Sequence, residues 1–525
     1  MTPFEKIELI FISLTFLVMI PIVGSYMAFI LDRPPQVYLN AFGWIERGIY
    51  STCCINSKEE MNWQTYAKSV CVLNAIGICV VFLLQISQAW LPLNPQKFSN
   101  VEWPLALNTA ISFVTNTDWQ VYSGESTLSY FTQMVGLSVQ NFLSAATGLA
   151  VLLALIRGLN RRVSTSIGNF WVDITRIIVY ILIPFSVVLA VALMSQGVIQ
   201  SFAPYVQAST LEGATQIIPL GPVASQEAIK QFGSNGGGFF NANSAHPFEN
   251  PTQFSNFLSF FAMLCIPVSS VYMYGLMIKQ KKQGIVLLCV MAFFGLTTFF
   301  IALHSEFSPN PVLDFQPVLE GKEMRIGVSK SILWAIGTTA TSNGSVNNMV
   351  GSLSPLAGGA LLFQMMVGGI VYGGVGSGLV NMLMYVVLVV FLAGLMVGRS
   401  PEYLGKKIEK REIQLAILAI LIPGGLILIG SSITLLLPFV TQNLTHIGPH
   451  GLSEILYAFS STASQNGSAF ESFQANTQFF ELLFSGIMLI ARLAFILPSL
   501  ALAGSLAAKQ TINSTSGTFQ TDNIL

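Results

Sequence analysis

Apolar residues in this chain gather into long runs rather than the short alternations of a soluble fold. A membrane helix needs about 20 mainly apolar residues. Runs of that kind occupy residues 8–31, 69–93, 131–157, 171–196, 254–278, 284–304, 356–398, 412–438 and 478–507. The seventh is too long for one crossing. Its middle, Gly368-Gly369-Ile370-Val371-Tyr372-Gly373-Gly374-Val375-Gly376-Ser377-Gly378, predicts a broken helix, because irregular backbone at membrane depth is tolerated where protein buries it or where it lines a cavity.

After the first run the pattern repeats four times: a span, a loop, a polar glycine- or asparagine-bearing segment, and a second span. The polar segments centre on Thr115-Asn116-Thr117, Ser234-Asn235-Gly236, Thr341-Ser342-Asn343-Gly344 and Gln465-Asn466-Gly467. Aligned on Asn116, Asn235, Asn343 and Asn466 they are 119, 108 and 123 residues apart. One short motif per unit at a near-fixed period indicates a repeat architecture. The predicted fold is an all-α polytopic membrane protein: four pseudo-symmetric helix–pore-loop–helix repeats around a central pore, plus one extra N-terminal transmembrane helix. Residues 1–68 hold that helix and a cytoplasmic loop. Residues 69–162, 163–282, 283–411 and 412–508 form the repeats, the third with the broken inward helix, and 509–525 a polar tail.

Each motif follows a stretch too short to span: Leu105–Phe113, Gln226–Phe232, Ser329–Ile336 and Ser453–Phe459. Ser225 and Ser453 are candidate N-caps for two of these short helices. A half-crossing helix followed by a glycine-rich return is a pore loop. Rings of backbone carbonyls can replace the water that a potassium ion sheds, without a fixed charge that would trap it. Glycine permits the backbone angles this needs. Asparagine and threonine add neutral oxygens, and the partly negative C-terminal ends of the short helices aim at a cation. A lone Asn-Gly marks only a turn; four at matching places point to a selectivity filter.

Composition agrees. The chain has 525 residues, 53% hydrophobic and 9% charged, with zero formal net charge; a soluble domain carries roughly a quarter charged residues. No basic block points to nucleic acid. Residues 11–30 form too long a run, without a small-residue cleavage site, for a removed signal peptide. Six cysteines show no metal-ligand spacing, and His246, His304, His446 and His450 are scattered among predicted outer loops. Sixteen of the 24 basic residues fall on one set of connections, including Arg33, Arg157, Lys279, Arg399 and Lys509. Positive residues mark the cytoplasmic side, which places the N-terminus outside. Outer segments hold more than half of the 24 acids, including Glu227, Glu306, Asp314 and Glu454. These either enrich cations at a pore mouth or remain by default where bases are excluded.

Two charged positions stand out. Asp118 adds a carboxylate beside the first loop, either enriching cations at the mouth or solvated outside it. Arg492 lies mid-span, where an arginine costs at least about 2.5–3.5 kcal/mol and must face protein or water. It serves either as a cation-repelling stop beneath the loops or as a partner for backbone carbonyls.

The segments 108–117, 221–230, 235–243, 246–251 and 398–407 resemble the potassium-binding subunit of the Kdp-type potassium-transporting ATPase, in the superfamily of potassium transporters, from about Pro21 to Lys509. The resemblance implies an inner-membrane complex. This chain would bind extracellular potassium and deliver it through an intramembrane path to a P-type ATPase catalytic subunit, which performs the ATP hydrolysis. A single-span accessory subunit, a small single-helix peptide and membrane lipid would complete the assembly. It also implies that Gly236, Gly344 and Gly467 are filter glycines and that Gln120 borders the first loop. Arg492 would be the basic residue beneath the filter, and Arg399 a cytoplasmic-side arginine near the complex interior. Members of the family carry glutamate where Gly369 stands, asparagine at the place of Asp118 and, in some cases, cysteine at that of Asn343. They also continue past the place of Leu525 with a further span, so a last helix is expected to be absent here. No Asp-Lys-Thr-Gly motif or phosphate loop is present, so the chain is expected to be a transport subunit without catalytic residues or cofactor, potassium being the transported ligand. The alternative is a self-sufficient potassium channel or cation symporter of the same four-loop class.

Overall fold

Helix length and polarity follow the apolar runs closely. The computed structural model describes residues 2–32, 36–309, 318–442, 444–446, 448–470 and 473–511; Arg33, Asp314 and the polar tail beyond Thr511 lie outside the described residues. Among them, nine helices are long and apolar enough to cross a membrane. They are Pro3–Asp32, Trp63–Ile86, Thr132–Asn160, Phe170–Ser195, Gln253–Met277, Lys281–Phe307, Ser377–Met396, Lys410–Leu435 and Gln478–Ala508. Polar caps set several of the ends. Thr252 and Ser255 exchange side-chain and backbone bonds at the start of Gln253–Met277, as Glu409 and Glu412 do before Lys410, each pair satisfying two orphan backbone donors.

Burial sorts these helices into centre and rim. In Thr132–Asn160 and Gln253–Met277, 83% and 78% of the apolar window is buried, against 11% in Pro3–Asp32. The first helix is thus appended to the bundle and meets it along one side, through Phe16 stacked on Phe261 and set edge-on to Phe260.

The long seventh run is broken. Helix Pro355–Met366 stops, and helix Ser377–Met396 starts only after the glycine-rich stretch. The non-helical turn is anchored: Gly373 N–H donates to Ala340 O (2.8 Å), and Asn381 Nδ2 to Gly368 O (2.8 Å). Its freed backbone groups therefore find protein partners, as irregular backbone at this depth requires.

The segment expected as a loop after the first helix contains a helix, Gln36–Thr52. Its Glu46 ties it to the bundle through Arg176 Nε (3.0 Å) and Tyr180 OH (2.6 Å). On the same basic face a two-residue ribbon pairs Met61–Asn62 with Ser166–Gly168. Beneath it Arg157 grips Asp173 with both nitrogens (2.5 and 2.7 Å), and Tyr66 OH adds a third bond to the carboxylate at 3.0 Å. Removing one partner strands a largely buried charge, which costs about 3–5 kcal/mol. Asp173→Asn is therefore expected to lower the melting temperature in detergent by several degrees. Melting equal to that of the parent chain would show that the pair stabilises nothing.

Candidate functional ring

Four short helices enter the bundle without crossing it: Trp103–Val114, Val223–Phe232, Val328–Ala340 and Pro449–Ala463. They contain the four expected stretches but begin earlier. The N-caps of the second and fourth are Pro222 and Gly448, which corrects the assignment to Ser225 and Ser453. Those serines lie inside the helices, where their hydroxyls donate back to Pro222 O (3.1 Å) and Pro449 O (3.2 Å). Proline in the first turn of the fourth helix takes the place of a side-chain cap, its missing N–H being one of the unbonded donors anyway.

All four helices end in the same turn. The residue after the C-cap adopts a left-handed conformation: Asn116 (φ 64°), Ser234 (φ 50°), Ser342 (φ 48°) and Gln465 (φ 59°). The next N–H then returns to the carbonyl five residues back, Thr117 to Ser112 (3.0 Å), Asn235 to Lys230, Asn343 to Thr338 and Asn466 to Ser461 (each 2.9 Å). This moves the first repeat by one position from the asparagine-based alignment. Thr117 corresponds to Asn235, Asn343 and Asn466, and Asp118 to Gly236, Gly344 and Gly467. The reason lies in the backbone: Asn116 is the left-handed residue of its turn, a conformation asparagine tolerates better than most, whereas the other three asparagines follow that residue.

The loops close on one another in chain order. A Cβ added to Gly236 would lie 2.6 Å from Asn343 O, one on Gly344 1.8 Å from Asn466 O, and one on Gly467 2.1 Å from Thr117 O. Side chains complete the circuit. Asn116 Nδ2 donates to Ser234 O (3.0 Å), Ser234 Oγ to Thr341 O (2.9 Å) and Asn466 Nδ2 to Thr338 O (3.0 Å). Asn343 and Asn466 also accept from the N–H groups of Ser345 and Ser468 (3.0 and 3.1 Å), fixing the outward return of the third and fourth loops. Second, third and fourth loops thus each pack backbone to backbone on the next, around one axis, with the C-terminal ends of all four short helices facing it.

On the Asp118 side the ring opens into a cavity of about 1240 Å³, lined by Asp118, Gly236, Gly344, Gly467, Gln120 and Glu323 among others. On the opposite side lies a narrow cavity of about 50 Å³, lined by Ser342, Gly369, Gly373, Gln465, Ala491 and Phe495 among others. It has room for a water or an ion but no more than a few.

The remaining predicted positions divide. Asp118 is not solvated: it is 3% exposed, and its Oδ2 accepts from Gly237 N–H at 3.2 Å while Oδ1 has no partner. The second loop folds over it and leaves it at the floor of the wide cavity. Gln120 braces the same loop, its Oε1 accepting from Gly238 N–H (3.1 Å). Arg492 is 2% exposed and donates to Gln465 Oε1 (2.9 Å) and Ser144 O (2.8 Å), which sets its guanidinium directly under the fourth loop. It thus lies beneath the ring and donates to a backbone carbonyl. Gly369 (φ 68°) is in the wall of the narrow cavity. Arg399 is not brought to the ring. It is exposed at the end of helix Ser377–Met396, in a segment tied to the basic face by the Lys406 Nζ bond to Arg161 O (2.6 Å).

Several acids expected around a pore mouth are buried in pairs instead. Glu306 meets Lys322 (3.1 Å), Glu454 meets His446 (3.0 Å), and Glu227 and Glu249 flank Lys230. They do not line the wide cavity. The Lys230 cluster was not foreseen, although Glu227 and Lys230, three residues apart on a predicted pore helix, carried the signal of an ion pair.

The fold and the ring define a four-pore-loop membrane transport protein. The chain belongs to the potassium-transporting ATPase A subunit family, whose model matches residues 9–525. It is 48% identical over 522 residues to the potassium-transporting ATPase potassium-binding subunit of Pseudomonas syringae pv. tomato, covering 98% of this chain and 92% of that relative. The subunit of the same description from Leptospira interrogans is 47% identical over 520 residues, with 99% and 92% covered. In fold it is similar to the crystal structure of the potassium transporter TrkH from Vibrio parahaemolyticus, with a TM-score of 0.52, 13% identity, and 79% and 82% of the two chains covered.

Proposed function

We propose that this chain selects potassium from outside the cell at the four-loop ring and passes it through the membrane interior to a partner P-type ATPase subunit, whose ATP hydrolysis drives uptake. The observation that carries the reading is the ring: the Thr117, Asn343 and Asn466 carbonyls, each pressed against a glycine of the adjoining loop. Neutral backbone oxygens held at fixed spacing replace a hydration shell. Thr115, Asn116, Thr117, Ser234, Asn235, Gly236, Thr341, Ser342, Asn343, Gly344, Gln465, Asn466 and Gly467 form the filter in this reading, with Asp118 and Gln120 at its border.

Below the ring, the Arg492 charge repels a cation moving straight on, so the ion leaves sideways past Gly369 through the break in the third repeat. The exposed face with Arg399 is turned to the cytoplasm and to the ATPase, the N-terminus being outside and the membrane the inner one. A single-span subunit and a single-helix peptide accompany the pair, and lipid fills the rest of the apolar surface. Purification from native membranes with identification of co-eluting chains tests this: a P-type ATPase should co-elute. Potassium flux in liposomes by the chain alone, with no ATPase in native preparations, would instead make it a self-sufficient channel or symporter.

A further inference from the structure

The second loop is built differently from the other three. The carbonyl that accepts the returning N–H belongs to Ser112, Thr338 and Ser461 in three loops, but to Lys230 in the second. This lysine is 0% exposed. Its ammonium lies 2.5 Å from both Glu227 Oε2 and Glu249 Oε1, 2.9 Å from Asn243 Oδ1 and 3.2 Å from Ser244 Oγ. An ammonium taken this far from water is tolerated only when paired and hydrogen-bonded, and here two carboxylates face one cation.

Asn243 links this cluster to the ring. Its Nδ2 donates to Gly236 O at 2.6 Å, while its Oδ1 accepts from Lys230 and from Ser244 N–H (2.9 Å). Two donors fix the oxygen, so only the amide nitrogen can face Gly236. Among the described residues no side chain donates in this way to the Gly344 or Gly467 carbonyl. We propose that Lys230, clamped between Glu227 and Glu249, is a positioning residue for ion discrimination: it orients Asn243, which fixes the Gly236 carbonyl and with it the width of the ring on the wide-cavity side. The inference rests on the ring being the potassium site. The paired carboxylates also keep the lysine from placing a net positive charge behind that loop.

The test reads the purified chain itself, through the potassium and sodium concentrations giving half-maximal thermal stabilisation. Asn243→Ala removes the strut. Asn243→Leu fills nearly the same space and adds no charge, but cannot donate to Gly236. Either variant is expected to reduce the potassium-over-sodium ratio at least about tenfold. A purely structural role would lower the ion-free melting temperature and leave the ratio unchanged. A ratio within about twofold of the parent chain in either variant that can be purified overturns the proposal. A parent chain that potassium does not stabilise overturns the ring as potassium site instead.

Discussion

Alanine in place of Gly344 is expected to raise the potassium concentration for half-saturation at least about 100-fold, equivalent to about 2.7 kcal/mol. Two costs add. Gly344 has φ 86°, a conformation that penalises any L side chain. Its new Cβ would also lie 1.8 Å from Asn466 O, a backbone atom that is itself part of the ring. The clash is relieved only by moving the fourth loop outward and spoiling the oxygen spacing. Gly467→Ala, with φ 92° and 2.1 Å to Thr117 O, is expected to behave the same way. Gly359→Ala is the control: this helical glycine has nothing within 4 Å of the added atom, and affinity should be unchanged. Titration of thermal stability with potassium reads all three. Full-affinity binding by Gly344→Ala would mean that the ring does not hold the ion.

Loss of the arginine beneath the ring should have the next largest effect. Arg492 has no carboxylate among its hydrogen-bond partners; both are neutral oxygens, on Gln465 and Ser144. No paired acid among the described residues offsets its charge toward a cation leaving the ring. Two unit charges about 8 Å apart at an effective dielectric constant near 20 repel by about 2 kcal/mol, a factor of roughly 30 in rate. Arg492→Ala is expected to open a passive potassium leak of about that size in liposomes, while Arg492→Lys, which keeps the charge, should stay tight. Tight liposomes with Arg492→Ala, coupled with a lower melting temperature, would reduce the residue to a donor for backbone carbonyls.

Much of this was legible in the amino-acid order, and the gaps have physical causes. Spans emerge because lipid demands a helix about 20 apolar residues long, and each long run contains one, the seventh only in its second half. The broken helix was visible because glycine recurs so densely from Gly368 to Gly378 that a continuous helix is disfavoured. Pore helices showed themselves by being too short to cross. The register of the first loop was hidden, since Asn116 invites pairing with three other asparagines while backbone conformation groups it with Ser234, Ser342 and Gln465. The cap positions were hidden because Pro222 and Gly448 hold them without any side-chain cap bond. Asp118 reads as a surface carboxylate until the second loop is known to fold over it. Lys230 depends on Asn243, Ser244 and Glu249, which the chain after the second loop brings back to it, a return no helical periodicity records.

Diffraction from crystals grown in rubidium, collected at the rubidium absorption edge, tests the central claim most directly. The account predicts anomalous density on the common axis of the four loops, between the Thr117, Asn235, Asn343 and Asn466 backbones. Density elsewhere, or a ring left empty at saturating rubidium, would contradict it.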